Sequence, residues 1–158
     1  MKYQRLTKEQ FEELHKEFIN FLASQSITAE EWKEIKKTKP HLAEQELDVF
    51  SDLIWEGVLA RVKYLESISP YSMQLFYMGA SNMHLIAVKL NDKSHDLTST
   101  KGFKWFVQNL MDDSIELFTA SKAFSEERHH DIFQLITQGA VISEGELYRS
   151  LDKFIKGS

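Results

Sequence analysis

The chain has 158 residues, 42% of them hydrophobic, 27% charged and 12% aromatic, which is the profile of an ordinary folded domain able to bury a core. It has no cysteine, which excludes disulfides, thiolate chemistry and zinc sites built on cysteine. Its formal charge of −5 gives no overall attraction to phosphate backbones, and no apolar run approaches the roughly 20 residues of a membrane span, so neither nucleic acid nor membrane is an expected partner.

The N-terminus, MKYQRLTKEQ, is polar and lacks the apolar stretch of a secretory signal, which predicts a cytoplasmic protein. The first helix starts at a capping box, TKEQ, with Thr7 as N-cap and Gln10 reaching back. At about 100° per residue, Phe11, Leu14, Phe18, Phe21 and Leu22 share one face, and His15 falls inside that arc. TAEE at Thr28 reads as a second capping box, opening a short helix through Trp32 and Ile35. Pro40 stands at the entrance of a third helix, where proline is tolerated.

The third helix is predicted from about His41 to Glu66. Leu47, Phe50, Ile54, Val58, Val62 and Leu65 form its stripe, widened by Leu53, Trp55, Leu59 and Tyr64. Asp48, Asp52, Glu56 and Lys63 remain as a narrow polar strip, read as the wet face of the helix. Gly57 would permit close approach of another element, and Arg61 projects into the apolar arc. SISPYS breaks the pattern. MQLFYM and MHLIAVKL, joined by GASN, then read as a hairpin. NDKSHDLTST is a polar loop. A helix from about Lys101 to Met111 buries Phe103, Phe106, Val107 and Leu110. SIELFTA is a third strand, Ser125 caps a helix ending near Gly139, and SEGE is a further capping box. That box opens a last helix with Leu147, Leu151, Phe154 and Ile155 inward. The reading is a single α+β domain over 1–158, with about six helices around a small, mainly antiparallel sheet of about three strands.

EERHHD, Glu126 to Asp131, is the stretch that most resembles a chemical site. Adjacent helical residues point about 100° apart, so His129 and His130 diverge and do not share an ion. A solvated helix start accounts for the acids, which the helix dipole favours in a first turn. The alternative uses the Glu-x-x-His spacing of di-iron bundles, met at Glu12–His15, Glu126–His129 and Glu127–His130, and would make the protein a metal-dependent enzyme. It needs further inward carboxylates, and only Asp48, Asp52 and Glu56 offer themselves. Arg61 is a candidate for an anion or a buried ion pair. Trp105 points away from the centre of its helix's apolar face, so the surface around it, with Lys101 and Gln108 as rim, is the interaction candidate. There is no glycine-rich phosphate loop, no G-x-S-x-G elbow and no H-E-x-x-H. AVK, with Ala87, lacks the acid a restriction-nuclease core would want, and the acidic balance of Glu126 to Lys156 disfavours a DNA-binding helix-turn-helix.

MKYQRLTKEQFEELHKEFINFLASQSITAEEW, ELDVFSDLIWEGVL, FTASKAFS and GELYR together resemble an uncharacterised family of small proteins from Flavobacteria and related Bacteroidetes. The resemblance spans essentially the whole chain. It implies a bacterial, single-domain, cytosolic protein, and it implies no activity and no site residues. The expected function is therefore a non-catalytic intracellular interaction or accessory protein. It would have no cofactor and no favoured metal site, and would act on an unknown protein partner or through self-association.

Overall fold

Thr7 opens the first helix as its sequence predicts. The Gln10 N–H donates to the Thr7 hydroxyl at 3.2 Å, and the Thr7 N–H donates to Gln10 Oε1 at 2.8 Å. A computed structural model describes residues 1–157. Among the described residues, seven helices and a five-stranded antiparallel sheet make an α+β fold. The chain divides into two compact units, Met1–Ala60 and Arg61–Ser158, at a point with no Pro-, Gly- or Ser-rich run to mark it.

The first unit is helical: α1 (Lys8–Glu13), α2 (His15–Ser24), α3 (Ala29–Thr38) and α4 (Pro40–Arg61). The expected first helix is thus two, because Leu14 leaves helical geometry at φ −99° and ψ 21°. His15, the residue after this break, is exposed rather than inside the apolar arc. Thr28 caps α3 by accepting the Glu31 N–H at 3.1 Å. Leu6, Phe18, Leu22, Trp32, Ala43 and Phe50 form the core, with Phe11, Phe21, Leu47 and Ile54 packed against it. Phe50 stands at its centre, with ring centroids of Phe18 at 5.0 Å, Phe21 at 5.3 Å and Phe11 at 6.0 Å. Ser51 is fully buried. It is satisfied by donating to the Leu47 carbonyl at 2.7 Å and accepting the Leu6 N–H at 3.1 Å.

The strip Asp48, Asp52 and Glu56 is not a wet face. It clasps the N-terminal segment. The backbone N–H groups of Lys2 and Tyr3 donate to Asp52 at 2.6 and 2.9 Å, and the Tyr3 hydroxyl donates to Glu56 at 2.6 Å. Arg5 Nε donates to Asp48 at 2.8 Å, and the guanidinium also meets Glu44. Burial, followed by the bond to Glu56, pushes the Tyr3 phenol up to about 12. The sequence holds the Lys2 and Arg5 cations and acids spaced four apart on α4, but only the fold brings them together. Gly57 has open space where a Cβ would go, so it serves no close approach.

The second unit holds β1 (Tyr64–Ser69), β2 (Ser72–Met78), β3 (Asn82–Leu90), α5 (Thr100–Gln108), β4 (Ile115–Ala123), α6 (Arg128–Thr137), β5 (Val141–Ser143) and α7 (Glu146–Lys156). Strand order is β4-β3-β2-β1-β5. The predicted hairpin pairs Met73 with Val88 and Leu75 with Ile86. The predicted third strand is β4, pairing Leu117 with Val88. Met73, Leu75, Ile86, Val88 and Leu90 line one face. They are buried with Phe106 of α5 and Leu151 of α7.

Two strands escaped the sequence reading. The third helix was expected to reach Glu66 but stops at Arg61, and Tyr64–Ser69 pairs with β2 instead. Val62 and Leu65 keep the helical period, yet the two-residue Pro70–Tyr71 connection presents this segment to β2, and ladder pairing overrides local phase. SEGE is likewise not a capping box. Ser143 belongs to β5, paired with Tyr64 of β1, and the N-cap of α7 is Gly145 at φ 82°, with no side-chain cap. The helix expected to continue to Met111 ends at Gln108. Ile155, expected inward, is 39% exposed.

Candidate partner-binding groove

The helical unit leaves an open groove of about 660 Å³ over its own core. Phe11, Phe18, Leu22, Trp32 and Leu47 form its apolar lining, and Ile19, 43% exposed, stands at its side. The rings of the floor pack edge to face: Phe18 lies 5.3 Å from Trp32 at 78° and 5.9 Å from Phe11 at 70°. The rings come from three helices: Phe11 from α1, Phe18 from α2 and Trp32 from α3.

The rim is mainly basic. Arg5, Lys8, Lys33 and Lys36 stand around the groove, against the single carboxylate of Glu12. Lys36 Nζ lies 5.9 Å from the Trp32 ring centroid, holding one cation over the apolar floor. Arg5 is partly neutralised by Asp48 and Glu44, which raise its pKa chiefly through the hydrogen bond to Asp48. Lys8 and Lys33 form no ion pair among the described residues.

The residues singled out from sequence land in different settings. Glu12 and His15 line this groove, exposed, on either side of the Leu14 break. Glu126 is exposed and lies outside α6, which begins at Arg128, so Glu126 and His129 do not share a helical face. The helix starts late because Ser125 folds back on Asp131. The Ser125 N–H and hydroxyl donate to the Asp131 carboxylate at 2.7 and 2.8 Å. Among the described residues no group of three or more His, Asp or Glu side chains is placed to hold a metal ion.

Trp105 is half-buried, with the His95 ring parallel to it at 3.8 Å and 8°, so one of its faces is already occupied by the loop before α5. Lys101 and Gln108 beside it are exposed. Arg61 is exposed at the last residue of α4 rather than turned into an apolar arc. Arg61→Met is therefore expected to leave stability within about 0.5 kcal/mol of the parent. A urea midpoint displaced by more than that would show a partner for the guanidinium.

The protein is thus an α+β chain with a helical unit presenting a basic-rimmed apolar groove. It belongs to the family of unknown function DUF6495, matched over residues 1–156. No curated protein and no solved structure matches the chain. Among the described residues no helix is long and apolar enough to cross a membrane.

Proposed function

We propose that the protein is a non-catalytic interaction module whose helical unit receives an acidic amphipathic helix from a partner protein. The observation that carries this is the rim: three cations that no carboxylate pairs among the described residues, Lys8, Lys33 and Lys36, against the carboxylate of Glu12 around an apolar floor, in a chain whose formal charge is −5. Helices that dock in apolar grooves present anchors at i, i+3 or i+4, and i+7, and a partner with acids flanking those anchors meets complementary charge here. The setting we propose is a bacterial cytoplasm. The resemblance to Bacteroidetes sequences supports it.

Fluorescence anisotropy with a labelled peptide tests the groove. The probe carries leucines at i, i+3 or i+4, and i+7 and glutamates elsewhere; a scrambled peptide of the same composition is the control. The ordered probe is expected to bind saturably and the scrambled one not. Lys33→Glu combined with Lys36→Glu should weaken binding about tenfold or more. Equal binding of both peptides would overturn the proposal. So would a concentration-dependent dimer in sedimentation that the same double variant abolishes, because the occupant would then be a second copy.

A further inference from the structure

The sheet unit holds a second feature that the sequence reading missed. On the face covered by α7, Tyr64, Tyr77, His84 and Ser121 are register neighbours on β1, β2, β3 and β4. The first three carry rings that step across the sheet: Tyr64 to Tyr77 at 5.2 Å, then Tyr77 to His84 at 5.7 Å and nearly parallel at 21°. Tyr148 of α7 closes over the first two, 5.7 Å from Tyr64 and 5.9 Å from Tyr77. Gly145 lets α7 begin directly against Tyr64, whose ring occupies the space of a Cβ at that position. The ladder then stops. Its fourth position is Ser121, a small exposed residue on the edge strand. A groove of about 630 Å³ opens there, lined by His84, Thr119, Ser121, Asp152 and Ile155.

We propose that this fourth rung is a binding site for an uncharged planar heteroaromatic ring of nucleobase type. Neighbouring strands are about 4.8 Å apart, so a ring seated over Ser121 meets the outer face of His84 at the spacing of the rungs already present. The polar groups there suit the edge of a heterocycle. Asn82 Nδ2 donates to Ser121 Oγ at 3.3 Å, which leaves the Ser121 hydroxyl proton to donate outward, with the Thr119 hydroxyl beside it. The cations of the groove are held away from the fourth rung. Lys156 pairs with Asp152 at 2.9 Å, and Arg149 donates to the Glu144 carbonyl at 2.7 Å with its guanidinium 5.3 Å from the Tyr64 ring. Arg149 thus stays at the Tyr64 end of the ladder, three strands from Ser121, and the fourth rung is left to recognise a ring rather than an anion.

The test is an NMR titration of the full chain with adenosine, and with indole as a ring that lacks acceptors at its edge, following the His84 ring protons and the Ser121 amide. Adenosine should shift both saturably and bind several-fold tighter than indole. His84→Ala should weaken adenosine about tenfold by removing the stacking partner. Ser121→Phe places the protein's own ring on the fourth rung, and should abolish the His84 shift while the unfolding midpoint stays near the parent. Failure of both ligands to move the His84 signals overturns the site, as does undiminished adenosine binding by either variant. Indole binding as tightly as adenosine overturns the ligand class.

Discussion

Gly102→Ala is expected to destabilise the protein by about 3 kcal/mol, although the same exchange in an open helix is favourable. Gly102 lies in the first turn of α5, buried, and a Cβ there would fall on the backbone of Asp96. Backbone cannot swing aside as a side-chain tip can. The loop carrying Asp96 would have to lift, and it also carries Leu97, 2% exposed in the core, and His95 on the Trp105 ring. The gain in helix propensity, about 1 kcal/mol, is smaller than the cost of displacing those contacts. Gly57→Ala is the internal control: it is the same exchange in α4, where nothing lies within 4 Å of the added methyl, and it should stabilise by roughly 0.5–1 kcal/mol. Urea unfolding of both variants reads the signs directly. A Gly102→Ala midpoint at or above the parent's would mean that the loop does not rest on α5 as described.

Phe50→Ala should cost about 3–5 kcal/mol. Phe50 is 1% exposed, and its ring is contacted by Phe11, Phe18 and Phe21, which come from α1 and α2. These aromatic neighbours are large and interlocked, so the cavity closes poorly and the upper part of the range is expected. Phe50→Leu keeps most of the volume and should cost distinctly less. Far-UV circular dichroism against urea separates the two. Equal losses for Ala and Leu would show that ring packing, rather than volume, holds this core.

The helical elements were legible because their signals are local. Thr7 and Thr28 mark helix starts through hydroxyls that satisfy N–H groups three residues on. Phe11, Phe18 and Leu22 announce a buried face by period alone. The hairpin of β2 and β3 and the third strand, β4, were read from composition and turns. The strand at Tyr64–Ser69 was hidden, since its residues continue a helical stripe and only β2 makes them a strand. The short strand at Val141–Ser143 was hidden by a capping-box string whose serine pairs with β1 instead.

The sites divide along the same line. The Glu-x-x-His spacing at Glu126 was a local inference, and a local contact undid it: Ser125 binds Asp131 and starts the helix two residues later than that pairing needs. The apolar floor of the groove was present in the sequence as a stripe, but the open space above it was not. Whether a stripe is wholly covered depends on where α3 and α4 settle. The aromatic ladder had no signal at all. Tyr64, Tyr77, His84 and Ser121 are scattered along the chain and become neighbours only through strand register. By itself, then, the sequence determined the α+β class, the exclusion of cysteine chemistry, the cap of the first helix and most of the core, because composition, period and capping act over a few residues. Tertiary structure alone decided the strap of residues 2–5 on α4, the basic rim around Trp32 and the ring ladder ending at Ser121, because each joins groups far apart in sequence whose distances are set by packing and register.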